Sequence, residues 1–365
     1  IPARFRRFVN RTNVNVNQSD IRALVRGELK SIIHTINNKG YKNLYIDGGN
    51  TIQSLLNEDL IDELTITTFP LLLGGGAKLF TSIPNQLNFE FEENKRIAAQ
   101  RNWYLKHPNY MQRVAKRAKP FLHLIVEKLE QQNMPLELVL LPIVESAFDP
   151  FAYSHGRAAG MWQFIPATGK RFGMKQTWWY DGRRDVMAST QGAINYLNYL
   201  VKMFDGNWFH ALAAYNSGEG RVLRAIRKNK KSGKTTDFWN LQLPKETSAY
   251  VPKLLALADI LANSDKYNFQ WPEIPNIPLT QEVTIGSQID LALAAEMANL
   301  TVKELHALNP GFNRWATDPN GPHSLLLPID KVDEFSAELA KTDSSQRLNW
   351  VRHKVKSGDS LIKLA

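Results

Sequence analysis

The stretch LELVLLPIVESAFDPFAYSHG, residues 136–156, decides how the chain is read. Leu138 through Val144 is an unbroken apolar run, and Glu145 stands at its end. Pro135 suits the first turn of a helix, Pro142 is expected to kink it, and Asp149-Pro150 is expected to end it. Glu145 is then placed in the last helical turn. Apolar neighbours and the negative end of the helix dipole both disfavour its ionised form, so its pKa is expected to be raised. A carboxyl group that keeps its proton near neutral pH is what a general acid requires. A buried acid satisfied by a hydroxyl or an arginine fits the same residues.

Outward from this stretch, the texture from about residue 89 is helical: FEENKRIAAQRNWYLKH, then YMQRVAKRAKPFLHLIVEKLEQQ, then VMASTQGAINYLNYLVKMF, which places Ile194, Leu197, Val201 and Phe204 on one face. Proline-rich FQWPEIPNIPL (269–279) reads as a linker. Beyond it EVTIGSQ, IDLALAAEMA, TVKELHALN and SLLLPI predict strand, helix, helix, strand. Residues 31–80 alternate in an α/β manner, with NLYIDGG as a short strand reaching Gly48-Gly49.

The totals exclude several classes of chemistry. There is no cysteine, so disulfides, thiolate metal sites and a cysteine nucleophile are excluded within these residues. The eight histidines show no metal-ligand spacing. No apolar run reaches the roughly 18 residues of a membrane span. A net charge of +10 suits an anionic partner, but no nucleic-acid-binding signature accompanies it. The densest basic run, RVLRAIRKNKKSGK (221–234), reads as a solvated face. The start lacks the apolar core of a secretory signal. Either the chain is cytoplasmic or its leader is missing, and opening on Ile1 favours a fragment.

Four further motifs follow Glu145 in order: GRAAGMWQFIPATG, WWYDGRRD, AAYNSGEGRV and ETSAYVP. Gln163, Asn216, Tyr215 and Tyr250 carry amides and phenols that suit sugar hydroxyls and acetamides, and Trp162, Trp178 and Trp179 offer flat faces for pyranose rings. Each aromatic alone is more simply a core residue. Taken together, residues 89–270 resemble the catalytic domain of goose-type-lysozyme-like lytic murein transglycosylases, in particular the membrane-bound type D. Glu145-Ser146 matches the family's glutamate–serine motif, and Ser154 its later serine. Gly160-Met161-Trp162-Gln163 matches Gly-Leu-Met-Gln in its Met-Trp variant. Ala214-Tyr215-Asn216 matches Ala-Tyr-Asn, and Tyr250 the late tyrosine.

The resemblance implies a mainly α fold and cleavage of peptidoglycan glycan strands between N-acetylmuramic acid and N-acetylglucosamine. Glu145 would act as general acid and then base, leaving a 1,6-anhydro sugar. Ser146, Ser154, Gly160, Met161, Gln163, Tyr215, Asn216 and Tyr250 would contact substrate. No cofactor and no metal is implied. A monomer in the periplasm or cell envelope is expected, anchored to the outer membrane in the full-length protein. Ordinary glycosidases use two carboxylates. Asp149, Asp181, Asp185 and Glu219 are candidates for a second, but a helix end, neighbouring arginines and a glycine turn account for them, so a single acid–base is expected. A non-catalytic cell-wall-binding module is the main alternative.

The ends carry weaker resemblances. Residues 271–348, a linker followed by a small βααβ pattern, resemble the degenerate LysM-like region of type D enzymes, for which a spacer or stabilising role is expected. Residues 349–365 resemble the truncated start of a LysM domain. Residues 1–88, with 1–30 unassigned, resemble part of the dihydrofolate-reductase-like domain of riboflavin-pathway reductases, in which Gly48 and Gly49 would contact NADPH phosphates. The strands that would complete that pocket are missing, so a non-catalytic remnant is expected, and an NADPH-dependent reductase is the remoter alternative.

Overall fold

The computed structural model describes the backbone of residues 5–6 and 45–46, and residues 94–348 and 359–360. Expectations for Gly48, Gly49, most of the reductase-like segment and the truncated LysM start lie outside the described residues. The chain divides into two compact units, one of residues 1–68 and 75–90 and the other of 69–74 and 91–365. In the first, β1 (Phe5–Arg6) pairs antiparallel with β2 (Tyr45–Ile46).

The second unit is mainly helical. Helix α1 (Lys95–Leu105) starts at Asn94, whose side chain accepts from the Arg96 amide. The amphipathic run after it is two helices rather than one, α2 (Pro108–Ala118) and α3 (Leu122–Gln131). Pro120 lies between them and cannot supply the amide a continuous helix needs.

The apolar run also differs from expectation. Leu136–Leu140 is a 3-10 helix, and α4 is only Leu141–Ser146. Pro142 lies in the first turn of α4, where it starts a helix and kinks nothing. Ala147 (φ 53°) and Phe148 (φ 57°) end α4 in the left-handed region, before Asp149-Pro150 is reached. Glu145 keeps its place in the last turn. Leu138 to Leu141 and Ile143 are buried.

Helices α5 (Pro166–Arg171), α6 (Val186–Met203), α7 (Trp208–Ser217), α8 (Glu219–Lys231) and α9 (Lys245–Ala262) complete the helical part. Asp185 caps α6 by accepting from the Ala188 amide, and Ile194, Leu197 and Phe204 are buried as their spacing predicts. Helix α9 packs on α1. Across that contact Arg101 donates to Asp259 at 2.6 Å, and Asp259, 4% exposed, also accepts from Tyr267 and Asn263.

Past the linker, β3 (Thr280–Thr284) pairs antiparallel with β4 (Ser324–Pro328), from Thr280 opposite Pro328 to Thr284 opposite Ser324. Between them lie α10 (Leu291–Met297) and α11 (Val302–Leu308), and α12 (Val332–Lys341) follows. This is the predicted strand–helix–helix–strand order, closed over a core that includes Ile289, Leu305, Leu327 and Phe335. No helix among the described residues is long and apolar enough to cross a membrane.

Asp259 gathers three donors in the α1–α9 contact, and its loss removes the carboxylate that faces the Arg101 guanidinium there. Asp259→Ala is expected to destabilise the helical unit by about 3–5 kcal/mol in urea unfolding. A loss below about 1 kcal/mol would show the α1–α9 contact to be held by apolar packing alone.

Candidate active site

Four segments converge on Glu145. Helix α4 supplies the carboxyl. Helix α9 supplies Tyr250, whose hydroxyl donates to Glu145 Oε1 at 2.5 Å. Helix α7 supplies Tyr215, and the loop 157–164 lies alongside. Withdrawal from water is the largest influence on Glu145, and the Glu246 charge adds to it. The Tyr250 hydrogen bond and Lys253 pull the other way, and the balance pushes the pKa from 4.5 up to about 7. Burial holds the Tyr215 and Tyr250 phenols well above 10, with the Glu145 charge adding to the push. Both therefore remain protonated donors.

The loop 157–164 is fixed through its carbonyls. Ser146 Oγ donates to Met161 O at 2.9 Å, and its oxygen accepts from the Asp149 amide at 3.1 Å. Tyr215 donates to Trp162 O at 2.9 Å. Gln163 turns its amide nitrogen inward, to Gly160 O at 2.7 Å and Ala152 O at 3.4 Å. Gln163 as a whole is half-buried. Gly160 takes φ 78°, and a Cβ there would lie 1.9 Å from the Arg183 carbonyl oxygen. Only glycine fits this position.

The predicted residues fall into two groups. Glu145, Ser146, Gly160, Gln163, Tyr215 and Tyr250 share this one region. Asn216 is tied to α9, where its Oδ1 accepts from Thr247 at 2.8 Å. Ser154 accepts from the Ala158 amide at 3.0 Å and shapes the turn leading into the loop. The Met161 side chain is 1% exposed, so its carbonyl is the part that faces the site residues. Trp162 does not offer a face to sugar, because it is fully buried and donates to Thr190 Oγ1 at 3.0 Å. Trp178 is exposed, with the Arg314 guanidinium 4.0 Å from its ring centre.

Each candidate for a second carboxylate is already engaged. Asp149 pairs with Arg117, Asp181 with Arg183, and Glu219 with Arg171. Asp185 caps α6. Sequence reasoning missed Glu246 and Lys253, one turn before Tyr250 and just after it, because their approach to Glu145 depends on how α9 crosses α4.

Glu145 is thus a half-buried carboxyl that accepts from one phenol, beside a loop whose carbonyls are pinned. Residues 124–238 match the model of the transglycosylase SLT domain. Residues 279–344 match the LysM-like domain of lytic transglycosylase MltD, and residues 5–101 the RibD C-terminal domain. The chain is 44% identical over 297 residues to membrane-bound lytic murein transglycosylase D of Escherichia coli (strain K12), covering 79% of this chain. It spans 66% of that relative's length, just under two thirds. It is 30% identical over 140 residues to membrane-bound lytic murein transglycosylase C of Glaesserella parasuis serovar 5, covering 35% of this chain and 38% of that one. Among solved structures, the 70 kDa soluble lytic transglycosylase SLT70 of Escherichia coli is similar at 18% identity and a TM-score of 0.34, covering 48% of this chain and 31% of that one.

Two outcomes follow from this geometry. Gly160→Ala forces the backbone against Arg183 and is expected to cost about 3 kcal/mol in urea unfolding; a neutral substitution would contradict the close approach. Folding raises the Glu145 pKa, so the folded chain holds that proton more tightly than the unfolded one. The corresponding stability is complete below pH 4.5 and lost as pH climbs through about 7. Glu145→Gln removes the loss and is expected to be more stable than the parent by about 2–3 kcal/mol at pH 8, with the difference vanishing near pH 4. Equal pH dependence of the two melting temperatures would refute the raised pKa.

Proposed function

We propose that the chain is a lytic murein transglycosylase, which cleaves the β-1,4 bond between N-acetylmuramic acid and N-acetylglucosamine with Glu145 as its general acid and then its base. The observation that carries this reading is the Glu145 carboxyl, kept protonated to about pH 7 in a site with no second free carboxylate among the four weighed from the sequence. Glu145 gives its proton to the glycosidic oxygen as the bond from muramic C1 breaks and positive charge builds on the ring. The carboxylate so formed takes the proton of the muramic 6-hydroxyl while that oxygen bonds to C1. A 1,6-anhydro ring closes, Glu145 regains its proton, and no water is consumed. Tyr250 keeps the carboxyl oriented throughout and partly offsets the charge of its ionised form.

Gln163, Asn216 and the exposed rim around Tyr153 and Phe151 are proposed to meet the glycan, with Ser146, Ser154, Gly160, Met161 and Tyr215 shaping the floor beneath it. The boundaries proposed are 89–270 for the catalytic domain, 271–348 for the linker and LysM-like region, and 349–365 for the start of a further LysM domain. Peptidoglycan places the site of action in the cell envelope, outside the cytoplasm.

Digestion of murein sacculi is expected to release anhydro-muropeptides, each one water lighter than its reducing counterpart by mass spectrometry, and Glu145→Gln is expected to release none. Reducing products would make the enzyme a hydrolase instead. Turnover needs protonated Glu145 at the outset, so kcat/KM should fall as pH rises through about 7. The Tyr250 hydrogen bond lowers this pKa, so Tyr250→Phe should move the falling limb to higher pH. A shift to lower pH would mean that the phenol does not stabilise the carboxylate.

A further inference from the structure

We propose that Arg183 is a positioning residue that holds the loop 157–164 in its working shape beneath the Glu145 carboxyl. This rests on the acid–base role given to Glu145, and it assigns a task to a buried cation that takes no part in the chemistry itself.

Arg183 is 5% exposed and uses its fork in two directions. Toward its own loop, Nε donates to Asp181 Oδ1 at 2.9 Å and Nη2 to Asp181 Oδ2 at 2.7 Å, which neutralises the guanidinium without water. Away from it, Nη1 donates to Arg157 O at 2.6 Å and to Phe164 O at 3.1 Å. These carbonyls are the two ends of the loop that carries Gly160 to Gln163, so one nitrogen bridges both of its ends.

The loop needs such a brace. Arg157 (φ 62°), Gly160 (φ 78°) and Gln163 (φ 50°) all lie in the left-handed region, and two of them are not glycine. Such backbone relaxes unless its surroundings fix it. The Arg183 backbone also abuts Gly160, so the same residue presses on the middle of the loop and ties its ends. From the loop the path to the acid is short: Met161 O holds Ser146, the residue next to Glu145, and Trp162 O holds Tyr215.

The brace is anchored in turn. The Asp181 amide donates to Gly311 O at 2.8 Å, Thr177 donates to buried Asp318 at 2.7 Å, and Lys175 donates to Gly321 O at 2.6 Å. Residues 175–181 are thus fastened to the turn between α11 and β4, and Arg183 inherits that rigidity. A lysine at position 183 retains the charge and most of the volume, but it is a point donor that cannot grip a carboxylate with two parallel bonds while bridging two carbonyls.

The test uses Arg183→Lys, Arg183→Gln and Arg183→Ala in the full chain, with turnover measured on solubilised glycan strands and scaled to the folded fraction by near-UV circular dichroism. Folded Arg183→Lys is expected to lose about 10–100-fold in kcat, the scale of a small misplacement at a reacting centre. The pH of its falling limb should stay with the parent's, because Glu145 keeps its surroundings. Millimolar guanidinium should restore part of the turnover of Arg183→Ala, and methylammonium should not. Backbone amide exchange within 157–164 should quicken in all three variants. Parent-like kcat in folded Arg183→Lys or Arg183→Gln overturns the proposal, and so does failure of every variant to fold, since Arg183 would then serve stability alone. Glu145→Gln run in parallel separates the two ideas. If that variant turns over at the parent's rate, the acid assignment fails whatever the Arg183 variants do.

Discussion

A half-buried carboxyl group that accepts a hydrogen bond from one phenol and lies near another organises the helical region. Glu145 retains its proton to about pH 7 because burial outweighs the Tyr250 hydrogen bond and the Lys253 charge that favour ionisation. Each neighbour serves that balance. The apolar run before Glu145 excludes solvent, and its helix stops within two residues because Ala147 and Phe148 turn left-handed. The chain can then fold back so that the loop 157–164 lies beside the acid. Tyr250 is brought there by α9, which is fastened to α1 through Arg101 and Asp259.

The loop beside the acid buries Ala159, Met161, Trp162 and Phe164 and is tied down through its backbone carbonyls as well. The carbonyls of residues 157, 160, 161, 162 and 164 each accept a side-chain hydrogen bond, from Arg183, Gln163, Ser146, Tyr215 and again Arg183. Buried polar groups are costly when left unpaired, so these five bonds favour one shape of the loop. The compact strand–helix–helix–strand segment contributes at one remove, through its bonds to residues 175–181.

Much of this was legible from residue order. An acid closing an apolar run is conspicuous, and its burial and raised pKa follow from placement alone. The strand–helix–helix–strand order is written in the spacing of EVTIGSQ, IDLALAAEMA, TVKELHALN and SLLLPI. Local rules failed where several outcomes suit one residue. Pro120 and Pro142 both restrict the backbone, yet one separates two helices and the other starts one. Trp162 looks like a sugar platform, but it is buried and its ring nitrogen donates to Thr190 in the core. Arg183 and Glu246 were not legible, since Arg183 beside Asp181 reads as a surface ion pair, and Glu246 reaches Glu145 only through the crossing of α9. Such distances are set by tertiary packing, which no local pattern encodes.

The central claim is that Glu145 holds its proton up to about pH 7. Titration of its side-chain carboxyl carbon by NMR, assigned against Glu145→Gln, measures this directly. A midpoint near pH 7 in the folded protein is the predicted result, and a midpoint at or below 4.5 would contradict the account.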